Sequence, residues 1–169
     1  MELLGREISR SKRERVPTAI LLCDIDHFKS INDTRGHLVG DEVSQEAARR
    51  LLLSVRSYDY VGRYGGEEFL IILNNYDPAS APRRAEEIRK ALSDHPVESS
   101  SGPLLVTMSM GVHRTENWVG QSVEELLQQV DSAMYAAKAA GRNRISFTKP
   151  GVSPDAKHAG STETVRSLR

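Results

Sequence analysis

The sequence predicts an α+β fold: a mixed sheet of about five strands with helices on its faces. Three observations lead there. Short apolar runs, such as Ala19-Ile20-Leu21-Leu22-Cys23, alternate with longer segments whose apolar residues recur at helical spacing. A Gly65-Gly66 pair separates two strand-like runs, which predicts a hairpin in the middle of the chain. Such a hairpin argues against a purely parallel, doubly wound sheet. The chain has 169 residues, enough for one domain with an adequate core, and shows no internal repeat.

The elements follow in order. Residues 2–15 read as a polar helix with Leu4 and Ile8 on one side, a solvated charged face elsewhere, and Pro17 as the stop. Residues 1–16 are therefore set apart as a linker helix, truncated from a missing upstream region. Thr18 to Ile25 is a continuous apolar run closing in acids, which predicts a buried central strand. Alternation sends Asp24 and Asp26 to one face and Ile25 to the other. Phe28 to Asp33 is a short helical turn, and residues 34–37 a loop. Leu38 to Val55 is a helix with Val39, Val43, Ala47 and Leu51 as its stripe. Residues 56–64 and 67–73 are the hairpin strands, joined by a glycine turn that needs positive φ. Ser80 to Ser93 is an amphipathic helix, and residues 95–102 a polar loop, most flexible at 99–102. Leu104 to Val112 reads as a strand and residues 113–120 as a loop carrying Trp118. Ser122 and Glu125 form a capping box for a helix over 123–140, ended by Gly141. Residues 144–148 are a last strand. The main domain thus spans 17–148, and 149–169, rich in Gly, Ser, Pro and Thr, reads as a disordered tail.

Composition limits the function classes. Formal net charge is +0, so no bulk attraction to nucleic acid or anionic membrane is implied. The single cysteine, Cys23, lies in an apolar run and reads as a buried small hydrophobe. No signal peptide and no membrane-length apolar run is visible. A cytoplasmic protein, or the cytoplasmic part of a larger membrane-anchored one, is the expectation.

The chemistry gathers on acids. Asp24 and Asp26 end the first strand, and Glu67 and Glu68 leave the hairpin turn. Alone, Gly65-Gly66-Glu67-Glu68 reads as an ordinary hairpin with a solvated acid pair. If the hairpin pairs beside the first strand, the acids converge on one edge of the sheet. Carboxylates plus the Ile25 carbonyl make a hard oxygen site suited to magnesium. Amides after Asp26, at a helix start, suit phosphate, and Lys29 adds charge. Asp26 reads slightly better as a cap for that turn than as a ligand. Metal-bound phosphate on a mixed sheet suggests nucleotidyl transfer. Other motifs fail. A calcium loop from Asp24 would need glycine at Lys29 and glutamate at Arg35. No Walker or dinucleotide fingerprint is present, and Cys23 with His27 is too little for zinc. A Ser/His/Asp triad stays open, with no nucleophile elbow to support it. His37 reads as structural, Met108, Met110 and Met134 as core, and Tyr135 and Trp118 as packing residues.

Several blocks together resemble the GGDEF domains, the diguanylate cyclases. They are Asp24-Ile25-Asp26-His27-Phe28-Lys29-Ser30-Ile31-Asn32-Asp33 with Gly36-His37 and Gly40-Asp41, and Arg63-Tyr64-Gly65-Gly66-Glu67-Glu68-Phe69 in the GGEEF form. Ser109-Met110-Gly111-Val112 and Asp131 to Asn143 match in order, so the resemblance covers roughly residues 16–147. It implies a ferredoxin-like core related to nucleotidyl cyclases and the polymerase palm. It implies condensation of two GTP into cyclic di-GMP, by two domains facing each other as a homodimer, with no nucleic acid involved.

The resemblance also implies roles. Asp24, the Ile25 carbonyl and Glu67 hold Mg2+, with Glu68 supporting a second ion; Mn2+ is an alternative. Glu67 also helps deprotonate the attacking hydroxyl. Gly65 and Gly66 make room for the α-phosphate. Phe28 and Lys29 offer amides to the terminal phosphates, with Lys138 and Arg142 adding charge. Asn32 and Asp41 read the guanine edge. Arg56 and Asp59 match an Arg-x-x-Asp site for feedback by the product. Two departures stand out. The family's N-terminal Leu-Thr-x-Leu-x-Asn-Arg element and any sensor or dimerisation domain are missing, and Ser44 replaces the usual leucine against the guanine. The alternative expectation is a catalytically weak domain that acts as a cyclic di-GMP or GTP receptor.

Overall fold

The computed structural model describes residues 2–115 and 122–148. The expectations for Trp118 and for the tail 149–169 fall outside the described residues. The architecture is a five-stranded mixed sheet of order β2-β3-β1-β4-β5. Strands are β1 (Thr18–Ile25), β2 (Tyr60–Arg63), β3 (Glu68–Asn74), β4 (Met108–Thr115) and β5 (Ile145–Phe147). Helices are α1 (Glu2–Glu14), α2 (Phe28–Arg35), α3 (His37–Ser54), α4 (Ala81–Ser93) and α5 (Val123–Ala139). β1 is central and antiparallel to both β3 and β4, while β5 runs parallel to β4.

Strand alternation builds two cores. Ala19, Leu21, Cys23 and Ile25 face a core shared with Val43, Ala47 and Leu51 of α3 and Ile88 and Leu92 of α4. Ile20 and Leu22 face the opposite core, with Leu4 and Ile8 of α1 and Leu126, Val130 and Met134 of α5. Burying each leucine, isoleucine, valine or methionine among them stabilises the fold by roughly 1.5–3 kcal/mol. Gly111 makes the α5 layer possible. A Cβ there would lie 2.1 Å from the Val130 carbonyl and 2.6 Å from the Met134 amide, so the helix backbone rests directly on β4. Met108, Met110 and Met134 are core, as expected.

Several sequence expectations need correction. The charged face of α1 is not wholly solvated: Glu7 is buried and ion-paired with Arg10 at 2.8 Å. The first hairpin strand starts at Tyr60, not Arg56, because Arg56 to Asp59 closes a turn of its own. There the Asp59 amide donates to the Arg56 carbonyl at 3.0 Å. A side chain that bonds nearby backbone competes with strand pairing. β4 starts at Met108 and runs to Thr115, since β1 pairs with it along its whole length. Leu104 instead makes an isolated bridge to Val97. Within the polar loop expected over 95–102, residues 99–102 form a turn, with the Glu42 carboxylate accepting from the Ser100 amide at 2.8 Å. No helix among the described residues is long and apolar enough to cross a membrane.

Candidate active site

The site lies at one end of the sheet, not along an edge, because β1 is central. Register brings the acids together: Asp24 of β1 sits opposite Glu68 of β3 and opposite Ser109 of β4. The Ile25 amide donates to the Glu67 carbonyl at 3.1 Å, which closes the end of the β1–β3 ladder. Asp24 is only 5% exposed. Its carboxylate meets Lys138 Nζ, from the last turn of α5, at 2.6 Å.

The electrostatics are tense. Burial pushes the Asp24 carboxyl up from its ordinary range, opposed by the Lys138 hydrogen bond and charge and by the more distant Arg142. Burial also pushes Glu68 up, and the Asp24 charge adds to it. Two carboxylates at paired positions of neighbouring strands therefore share too little positive charge. Their oxygens and the Ile25 carbonyl are hard donors, so the residues present fit a divalent ion such as magnesium. Among the described residues no three acidic, imidazole or thiol side chains form a ready-made metal cluster. Lys138 supplies the positive charge on Asp24 instead.

The hairpin turn differs from its sequence reading. Neither Gly65 nor Gly66 has positive φ, so this is not a two-residue primed turn. The Tyr64 and Gly65 amides both donate to the Glu68 carbonyl, at 2.8 and 3.2 Å, which leaves a longer connection over residues 65–67. Gly65 serves space rather than dihedral angle. A Cβ on Gly65 would lie 2.5 Å from Glu68 Oε2, whereas Gly66 has nothing within 4 Å and opens to solvent. Arg63 clasps the turn, donating to the Gly65 carbonyl at 3.2 Å and to the Gly66 carbonyl at 2.6 Å.

Asp26 neither caps α2 nor points at the acids' ion pair. His27 occupies the cap position with φ 58°, and no side chain caps the helix. The Asp26 carboxylate accepts from Thr107 Oγ1 at 2.6 Å, Ser109 Oγ at 2.7 Å and the Asn143 amide at 2.9 Å. It thereby ties β1 to β4 and to the turn that carries Arg142. That turn is left-handed at Arg142 (φ 62°) and Asn143 (φ 47°). The backbone amides of Phe28 and Lys29 open α2 immediately beyond Asp26, with the Phe28 ring buried and the Lys29 side chain exposed.

Asn32 and Asp41 come from α2 and α3. A Cβ on Gly40 would fall 1.9 Å from Asn32 Oδ1, so that glycine makes room for the asparagine beside Asp41. His37 is exposed at the start of α3. Ser44 is buried, with its hydroxyl lacking a hydrogen-bond partner among the described residues. Tyr135 is not a packing residue. It is 71% exposed and lines a 330 Å³ pocket with Glu68, Asp131, Ser132, Met134 and Lys138. Sequence reasoning gave no role to Arg63, Thr107, Ser109, Asp131 or Asn143, although most of them lie in the matched blocks.

The family profile described as diguanylate cyclase, GGDEF domain, matches residues 1–144. The chain belongs to the GGDEF family. The response regulator PleD of Caulobacter vibrioides is 47% identical over 131 residues, covering 76% of this chain and 29% of that protein. Diguanylate cyclase A of Treponema denticola is 38% identical over 142 residues, covering 84% of this chain and 38% of that protein. This GGDEF chain therefore spans well under half the length of these curated relatives. Among solved structures, the GGDEF domain of DgcB from Caulobacter crescentus, in complex with c-di-GMP, has TM-score 0.80 at 30% identity, covering 87% of this chain and 86% of that one. The active GGEEF domain of a diguanylate cyclase from Vibrio cholerae has TM-score 0.79 at 32% identity, covering 89% and 94%. The α+β, palm-like fold read from the sequence is thus the fold of the GGDEF family.

The Arg56 and Asp59 positions lie at the other end of the sheet. The Asp59 carboxylate accepts from the Arg56 amide and from the Asn74 amide, both at 2.9 Å. Asn74 pairs with Thr18, at the opposite end of β1 from Asp24. These positions and the Asp24 end are thus separated by the length of β3, about 20 Å for seven residues at strand rise.

Proposed function

We propose that this GGDEF domain condenses two GTP molecules into cyclic di-GMP with release of two pyrophosphates. The observation that carries this reading is the register pairing of Asp24 with Glu68, with Lys138 at 2.6 Å, on a GGDEF fold. In this reading Asp24, the Ile25 carbonyl and Glu67 hold Mg2+, or Mn2+ in its place, and Glu68 supports a second ion. A bound divalent pair supplies charge stabilisation for the attacking and leaving oxygens. The chain's own residues do the rest. Phe28 and Lys29 amides hold the terminal phosphates at the start of α2. Lys138 and Arg142 balance phosphate charge, and Gly66 leaves the α-phosphate room on the turn. Asn32 and Asp41 accept from the guanine N–H edge. Glu67 takes part in removing the proton from the 3′-hydroxyl of the other nucleotide.

Each domain binds one GTP, so the reaction needs two copies facing each other. An upstream domain that brings copies together belongs to this reading, with α1 as its linker and 17–148 as the catalytic unit in the cytoplasm. Product feedback at Arg56 and Asp59 belongs to it as well. A structural relative, the diguanylate cyclase SiaD, was solved with its activator SiaC, and an activating partner is equally compatible here.

The test is incubation with GTP and Mg2+ at high protein concentration, with cyclic di-GMP read by mass. Glu67→Gln should lower turnover at least about a hundredfold, the usual scale for losing one electrostatic stabiliser. Equal turnover in the variant would overturn the metal assignment. Absence of product from the wild-type chain, together with tight cyclic di-GMP binding, would favour the receptor reading instead.

A further inference from the structure

We propose that Tyr58 is a ligand-binding residue of the distal site, acting with Arg56 as a preformed guanidinium–aromatic platform for a purine base of a cyclic dinucleotide. The inference rests on the feedback reading above and adds to it a residue outside the Arg-x-x-Asp pattern. Arg56 Nη1 donates to the Tyr58 hydroxyl at 2.6 Å. The guanidinium carbon also lies 5.7 Å from the Tyr58 ring centroid. Yet Tyr58 is 48% exposed, so the ring is not consumed by the core.

The loop beneath is pinned. Asp59 takes the amides of Arg56 and Asn74, and the Asn74 side chain donates to the Tyr58 carbonyl at 2.9 Å. Both Asp59 oxygens thus hold backbone, and Asn74 fixes the Tyr58 main chain to the end of β3. What the loop leaves open to solvent is the outward edge of Arg56 and the ring of Tyr58. An arginine whose conformation is already restrained loses less entropy on forking onto a base or phosphate. An exposed aromatic face accepts any base by stacking. A cyclic dinucleotide presents both groups, two purine faces and two phosphates, to this pair. The tyrosine hydroxyl uses one of the five guanidinium donors and leaves the others for the ligand.

The test is calorimetric titration of the whole chain with cyclic di-GMP, with thermal melting as a separate measure of folding. Tyr58→Ala should weaken binding about tenfold or more, the scale of one lost base stack. Tyr58→Phe keeps the ring and loses the hydroxyl contact, so it should weaken binding by only about threefold, half a kcal-scale hydrogen bond. Binding by Tyr58→Ala as tight as wild type, while Arg56→Ala binds weakly, would overturn the Tyr58 assignment alone. Unchanged binding in both Arg56→Ala and Tyr58→Ala would overturn the distal site itself.

Discussion

The two ends of β3 handle carboxylates in opposite ways. At the Glu68 end, Asp24 and Glu68 face each other across paired strands, and burial raises both carboxyls above their ordinary range. At the Asn74 end, Asp59 has both oxygens occupied by backbone amides. Asp26 belongs with the second kind, although it stands only two residues from Asp24: three donors meet it. The contrast separates acids whose oxygens are already occupied from crowded acids, to which the proposed function gives a metal ion. A satisfied carboxylate fastens the fold until a ligand competes for its oxygens. A crowded one stores unfavourable charge that a bound cation relieves.

Substitutions can break that contrast. The largest effect is expected for Asp26→Ala, which strands Thr107, Ser109 and the Asn143 amide at a buried junction. Losing several charge-assisted hydrogen bonds should cost about 3 kcal/mol, read as a lower midpoint in urea. A midpoint close to wild type would show that water replaces the carboxylate. Asp59→Ala should cost less, about 1–2 kcal/mol, because its loop is more exposed and solvent can serve the freed amides. If it destabilises more than Asp26→Ala, the distal loop is the stronger clamp.

The smallest effect has the opposite sign. Glu68→Gln removes one of two crowded charges and should raise stability at neutral pH by roughly 0.5 kcal/mol, while lowering turnover. The pH dependence follows from the raised carboxyl. The folded state holds its proton to higher pH than the unfolded chain does. Stability is therefore fully present below the ordinary carboxylate range and is lost as pH rises through the raised value. The gain in Glu68→Gln should accordingly shrink on acidification, measurable by melting between neutral pH and pH 4. A variant less stable than wild type at neutral pH would show that Glu68 is scaffold.

Much of this was legible from local pattern. The apolar run over 18–25 required a buried strand, and the capping box Ser122–Glu125 appears with both hydrogen bonds made. Acids at a strand end and after a glycine turn pointed to one site, and β1–β3 pairing brings Asp24 opposite Glu68. Errors arose where distant residues decide. Asp26 was ambiguous because its partners Thr107, Ser109 and Asn143 come from elsewhere in the chain. The Gly65-Gly66 turn was misread because its dihedrals depend on Arg63 and on the Glu68 carbonyl, while its composition alone suits a tighter turn. Tyr135 looked like core because it follows Met134 on an amphipathic helix, yet it faces the pocket beside Lys138.

By itself, then, the sequence determined the order of the main strands and helices though not all their ends, which acids sit near strand ends, and the motif blocks of the GGDEF family. Those are short-range properties of propensity, period and spacing. Only the tertiary structure decided which acid is crowded and which is satisfied. A carboxylate's role depends on how much water it loses and which donors reach it, and those donors are supplied by other strands and turns. Thus Asp24, Asp26 and Asp59 carry the same side chain, and packing alone leaves the first crowded beside Glu68 and the other two supplied with hydrogen-bond donors.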